Sequence, residues 1–297
     1  MKRIGSLLQD RLALLSLFII TSTLLAGIFA PWIAPNDPEE VHMELRFASA
    51  SWEYLLGNDH LGRCVLSRLI YGIRPSVLGV LAVLAISVGI GTAIGFIAGY
   101  FKGKLDALLM RICDIMLSFP GYVMTLGIIG ILGVGLQHIL LAFVLMKWSW
   151  FARIIRTSVM QYADAEYVKF SKTLGIGSLR IIWKHIVPVT VPVIAVTSSS
   201  AFSSMVLQLS GYSFLGLGVQ APHAEWGMML NEAREVMFSR PELLLAPGIT
   251  TILFVSAVHF FTDALQVALD PKLGSSGRKK QRKGRFQTAN LQGSEVA

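Results

Sequence analysis

The sequence predicts an all-α membrane protein that crosses the bilayer six times, and three observations carry that expectation. Hydrophobic residues make up 54% of the 297-residue chain and charged residues only 15%, against about 25% charged in a soluble domain. Mean hydropathy is +0.61, and apolar runs of about 20 residues, enough to span a hydrocarbon core of about 30 Å, recur along it. The basic residues fall on alternate connecting segments, as in a protein oriented by cytoplasmic positive charge.

The elements follow in order. Residues 1–11, with Lys2, Arg3 and Arg11, are expected in the cytoplasm, and Leu12–Ala30 is the first span. Its apolar core exceeds the usual 7–15 residues of a cleaved signal peptide, so it is read as retained. Residues 31–75 form an extracytoplasmic loop, and residues 76–268 hold the other five spans. These are Val77–Ala98, Leu105–Leu132 (interrupted by Arg111, Asp114 and Pro120), Gln137–Ser158, Val189–Gly216 and Leu243–Val267. Residues 269–297 form a basic tail, expected to be disordered and drawn to anionic lipid.

Residues 161–188, between the fourth and fifth spans, are basic and amphipathic and read as helix, break, helix. Asp164 is expected to cap the first helix, with Glu166 favourable in its first turn. Tyr167, Phe170 and Leu174 form one apolar stripe. Gly175 and Gly177 stop that helix, and Ser178 starts a second one running to a proline-gated membrane entry at Pro188. A polar helix between two spans lies on the membrane surface or docks to a soluble partner.

The net charge of +8 does not indicate nucleic acid, because its distribution is the positive-inside pattern. Loops Pro31–Pro75 and Val219–Glu242 are net acidic, while the segments with Lys102, Lys104, Arg153, Arg156, Lys169, Lys172, Arg180 and Lys184 are basic. Both termini are therefore expected in the cytoplasm. Cys64 and Cys113 fall in a loop and a span, so no disulfide framework exists. No G-x-x-x-x-G-K-[ST] stretch occurs, so the chain should not bind ATP. The nearest approach, Gly99 to Lys104, has the wrong spacing. The six histidines are scattered among loop and packing positions, and no metal site, catalytic residue or bound cofactor is expected.

Lys147 lies well inside the fourth span, where an unpaired cation is costly. Two roles are open. It lines the route of an anionic solute, or it pairs with Asp114 or snorkels toward the cytoplasm beside Trp148 and Trp150. Arg111 and Asp114 are three residues apart, so local pairing is expected. Ser199 and Ser203 are the candidates from the Ser198–Ser200 and Ser203-Ser204 cluster, which serves either helix packing or the solute route. The rival class is a membrane-embedded enzyme or signalling scaffold with residues 161–188 as a docking arm. It would need convergent catalytic groups, and Lys147, Arg111, Asp114, Asp263 and His259 form no triad or ligand set.

Five stretches carry a family resemblance. Glu166, Gly175, His185, Ile186 and Pro188 fit the coupling-loop pattern of ABC-transporter permeases, although its E-A-A core is Lys169-Phe170-Ser171 here. Leu56–Arg63, LGNDHLGR, resembles the G-T-D-x-x-G-R-D signature of peptide and nickel permeases through Gly57, Asp59, Gly62 and Arg63, with Cys64 in place of the last Asp. Ser213–Gly227 resembles S-F-L-G-L-G-x-x-x-P-x-x-x-W-G, placing Gly216, Gly218, Pro222, Trp226 and Gly227. Asp106, Met110, Arg111, Asp114, Phe119 and Pro120 match that group's third span. Asp263, Leu269, Asp270 and Pro271 match its closing signature in part, Gln266 and Val267 standing for Arg-Asp.

The chain thus resembles the second, C-type permease of a peptide/nickel importer, slightly closer to the nickel permeases. The resemblance implies a type I importer permease fold without its own ATPase site, in a bacterial cytoplasmic membrane. It implies a homologous second permease, two cytoplasmic ATP-binding subunits that hold the ATP and Mg, and an extracytoplasmic solute-binding protein. Glu166, Tyr167, Phe170, Leu174 and Gly175 would be the coupling residues. The glycines of the SFLGLG stretch would admit close backbone approach, and the Pro222–Trp226 turn would anchor the outer membrane interface.

Overall fold

The computed structural model describes residues 10–269, and apart from one isolated bridge between Asn58 and Cys64 the regular structure in that range is helical. Helix α1 is Arg11–Ile28, capped by the Asp10 carboxylate, which accepts from the Leu12 N–H at 3.0 Å. A short turn, α2 (Ala30–Ile33), follows. Helices α3 (Val65–Ile73) and α4 (Val80–Phe101) are joined through a π-turn at Arg74–Gly79. Pro75, which lacks an N–H to donate, falls in that wider turn. The membrane helix therefore begins earlier than the apolar run at Val77 suggests.

Helices α5 (Gly103–Leu117) and α6 (Gly121–Leu132) form one bent unit, with 78° between them. Next come α7 (Leu136–Ala163), α8 (Glu166–Thr173), α9 (Ser178–Ile181) and α10 (Val187–Phe214). Helices α11 (Trp226–Arg234) and α12 (Glu242–Leu269) complete the described chain. Five helices are long and apolar enough to cross a membrane, and the bent α5–α6 pair makes a sixth.

The contact between α4 and α7 explains why the bent pair counts as a crossing. A Cβ on Gly91 would lie 2.5 Å from that of Phe151, one on Gly95 2.8 Å from the Ala152 carbonyl, and one on Gly99 2.8 Å from the Arg156 carbonyl. Positions on the two helices rise together, so α4 and α7 run parallel. Parallel neighbours require α5–α6 to carry the chain back across. The glycines recur every fourth residue, so one face of α4 lets the backbones close up, as small residues do between membrane helices. Helices α10 and α12 pack antiparallel, Ser199 against Thr262 (2.6 Å between hydroxyl oxygens) and Phe202 against Phe254 (5.9 Å between ring centroids).

Four local expectations are corrected. Asp164 does not cap α8, whose N-cap is Ala165 with no side-chain bond; its carboxylate instead takes the Lys102 ammonium at 2.6 Å. Gly177, with φ −59°, is not left-handed and belongs to the start of α9. Pro188 gates nothing: α9 runs through a π-turn at Ile182–Ile186 into α10, giving a 37-residue helical path from Ser178 to Phe214. Trp226 is no interface anchor, being wholly buried, with Nε1 donating to the Leu69 carbonyl at 3.0 Å and its ring 5.8 Å from Phe254. Asp270, Pro271 and the basic tail lie outside the described residues.

Candidate functional site

Helix α8 joins α7 to the α9–α10 path, and only Asp164 and Ala165 separate it from α7. Its inward face buries Val168 and Ser171. The expected stripe faces outward: Tyr167 is 46% exposed, Phe170 65% and Leu174 62%. Leu179 and Trp183 extend the same apolar surface beyond the turn. The turn is a Schellman closure, with Ile176 N–H on the Ser171 carbonyl (3.2 Å) and Gly175 N–H on that of Lys172 (3.0 Å). Gly175 takes φ +73°, the left-handed conformation expected of it.

The helix is fastened to the bundle by charge. The Lys172 ammonium sits 4.7 Å from the centroid of Tyr100 on α4. Lys102, after α4, holds Asp164, and that hydrogen bond keeps the carboxyl below its usual 3.8. Two more pairs tie α5 to α7: Asp106 to Arg156 at 2.5 and 2.6 Å, and Asp114 to Arg153. The expected Arg111–Asp114 pairing does not form. Arg111 is exposed, while Asp114 reaches across to α7 and pairs with Arg153.

Because Arg153 occupies Asp114, Lys147 has no acidic partner among the described residues. It lies about 16 Å from one end of α7 and about 24 Å from the other, at 1.5 Å per residue. A lysine at the bilayer centre costs about 2.5–3.5 kcal/mol on insertion scales, so a cation well inside a span calls for a wet cavity or a partner. It lines a pocket of about 350 Å³ at the break of α5–α6, opposite Ser200, Ser204 and Gln208 of α10. These three are spaced four apart, hence on one helical face. The serines singled out from sequence face elsewhere. Ser199 bonds Thr262 of α12, and Ser203 is buried with its hydroxyl on the Ser200 carbonyl.

At the opposite end, Gly57–Cys64 is a tight loop with Gly57 and Gly62 at φ +70° and +76°. Asp59 accepts from the N–H groups of Leu61 (2.9 Å) and Arg63 (3.0 Å) and pairs with the Arg63 guanidinium at 2.7 Å. Arg63 and Arg68, each 1% exposed, both reach Glu232 on α11, at 3.0 and 2.9 Å. Asp59, His60 and Glu232 come within metal-ligand reach of one another, but the two arginines already neutralise both carboxylates. Glu225 is buried too, held by Ser76 at 2.7 Å and by the Met228 N–H at 2.9 Å. Close approach in the glycine motif falls at Gly218 and Gly227, where a Cβ would overlap Ser213 and Ser210. Gly216 has open space and a φ of +79°, as the left-handed residue that ends α10. Pro222 offers its carbonyl to Arg68 at 3.2 Å, and Asp263 is exposed on α12. A larger cavity of about 510 Å³ opens at this end beside Tyr71, Arg74, Gln137 and His223.

Residues 91–275 match the family described as binding-protein-dependent transport system inner membrane component, and residues 4–50 match the N-terminal TM domain of oligopeptide transport permease C. The chain belongs to this family of permeases. It is 52% identical to the metal-staphylopine import system permease protein CntC of Staphylococcus aureus, over 92% of this chain and 94% of that one. Identity is 36% to the nickel transport system permease protein NikC of Escherichia coli (87% and 94% covered) and 37% to the dipeptide transport system permease protein DppC of Alkalihalophilus pseudofirmus (90% and 88%). An inward-facing structure of the MetNI methionine ABC transporter superposes with a TM-score of 0.54 at 14% identity, covering 68% of this chain and 96% of that one. The protein is a transport subunit with a type I importer permease fold, and the scaffold and enzyme readings have no support. In the sequence Ser200 and Ser204 stand out only as members of the serine cluster; Gln208 and the face the three share were missed, although the spacing of four was visible.

Proposed function

We propose that this permease imports a metal chelate across a bacterial cytoplasmic membrane. It does so paired with a homologous second permease, energised by two cytoplasmic ATP-binding subunits and fed by an extracytoplasmic solute-binding protein. Both termini lie in the cytoplasm, as the positive-inside distribution argues. The names of the relatives support the substrate class, since identity is 52% to a metal-staphylopine permease and 36–37% to nickel and dipeptide permeases.

The observation that carries the mechanism is the exposed Tyr167, Phe170 and Leu174 face on a helix that follows α7 directly and leads through α9 into α10. Large exposed apolar patches mark interaction surfaces, and a few apolar anchors in a cleft carry most of such an interface's energy. ATP binding that draws the ATPase subunits together moves α8. Helices α7 and α10 then move as its rigid extensions, shifting the population between outward-open and inward-open states.

The test is uptake of radioactive nickel, offered with staphylopine, by cells carrying the whole transporter. Phe170→Asp and Leu174→Asp should each bring uptake to background and lose the ATPase subunits on purification while retaining the second permease. Full transport with intact co-purification in both would remove α8 from coupling. Uptake of dipeptide but not of nickel would replace the substrate class.

A further inference from the structure

The pocket at the break of the third span combines features that packing alone does not explain. Lys147 has no acidic partner among the described residues, although a carboxylate lies on the neighbouring helix, because Arg153 already occupies Asp114. Facing it across about 350 Å³ are the hydroxyl and amide groups of Ser200, Ser204 and Gln208 on one face of α10. Apart from Thr125 the remaining walls are mostly apolar, Phe143 and Trp150 among them. An ammonium in a pocket within a span is held by water or by an anion that enters. We infer that this pocket is a subsite for a carboxylate group of the transported solute, with Lys147 as its cation and Ser200 and Gln208 as neutral donors, the Ser204 hydroxyl being held on the Ser200 carbonyl at 3.1 Å.

The donor set favours carboxylate over phosphate. One ammonium balances one negative charge, and the pocket offers no guanidinium fork of the kind that recognises phosphate oxygens in pairs. The chain break helps as well, since irregular backbone at membrane depth is tolerated where it borders a cavity. Lys147 stands on α7 and its two partner donors on α10; α8 follows α7 directly and leads to α10 through α9 and the π-turn. A movement of α8 therefore alters the distance between the cation and its partner donors, so the subsite binds in one state and releases in the other. The inference rests on reading the chain as an importer of a small chelate.

The experiment uses the complete transporter in cells and radioactive nickel offered with staphylopine. Lys147→Met is expected to lower uptake about tenfold or more, the loss of one charge-assisted contact, at normal abundance and normal ATPase co-purification. Lys147→Arg should keep most of the uptake. Lys147→Cys should regain uptake after modification with the aminoethyl methanethiosulfonate, which restores an ammonium, and not with the sulfonatoethyl reagent. Both native cysteines, Cys64 and Cys113, are buried, and unsubstituted transporter treated with each reagent gives the background. Wild-type uptake in Lys147→Met, or equal rescue by both reagents, overturns the subsite. So does loss of abundance in every variant including Lys147→Arg, which assigns the residue to packing. Phe170→Asp separates the two levels: if it too transports normally, or if the unsubstituted transporter moves neither nickel nor dipeptide, the importer reading itself fails.

Discussion

Arg63 and Arg68 are tolerable at 1% exposure because each meets carboxylate oxygens at hydrogen-bonding distance, Asp59 for the first and Glu232 for both. The cluster has two cations and two anions, so no net charge is buried. Removing one member leaves an uncompensated charge, which costs about 3–5 kcal/mol. Glu232→Gln is therefore expected to lower the melting temperature of the purified transporter by several degrees and reduce its abundance in the membrane. An unchanged melting temperature would mean that the two guanidinium groups reach water. Lys147 is the contrasting case, a cation without an acidic partner among the described residues, Asp114 being paired with Arg153.

At the scale of elements, the α4–α7 seam depends on Gly91, Gly95 and Gly99, because the neighbouring backbone or Cβ lies where a side chain would begin. Gly95→Leu should prevent the helices from closing and abolish folded protein in detergent-solubilised membranes. Gly89→Ala, on the same helix with nothing within 4 Å, should leave abundance unchanged. Equal behaviour of the two variants would show that the seam is not close-packed. Gly175 differs in kind. Its surroundings are open, so substitution strains only the left-handed backbone, by about 1–2 kcal/mol. Gly175→Val should re-aim the end of α8 and impair uptake without lowering abundance, and uptake equal to the unsubstituted protein would show that the cap is not needed for coupling.

For the whole molecule, the parallel run of α4 and α7 places α8 and the Asp59–Glu232 cluster at opposite ends of the bundle. Cysteine labelling of intact cells checks which end is which. Trp52→Cys and His223→Cys, both at exposed positions, should react from outside. Lys169→Cys should react only after permeabilisation. External labelling of Lys169→Cys would reverse the orientation and with it the role of α8. Asn58, although in the same outer loop, is only 2% exposed and makes a poor reporter.

The sequence by itself determined the number of spans, the helix–break–helix of residues 161–188 and the family, because hydropathy, charge distribution and left-handed glycines are local properties of the chain. It also placed the Tyr167–Phe170–Leu174 face outward, since a stripe at helical spacing needs no partner to be read. Partner choice was not legible. Asp114 could have paired with Arg111, Lys147 or Arg153, and only the packing of α5 on α7 selects Arg153. Likewise a shift of one residue turns a helix by about 100°, which separates Ser199, bonded to α12, from Ser200 in the pocket with Lys147. Trp226 carries an amphipathic ring suited to a membrane interface, yet it is buried because the Leu69 carbonyl and Phe254 converge on it from distant parts of the chain. Such choices belong to tertiary structure, because the energy of a buried charge or ring depends on groups that the chain brings together only when folded.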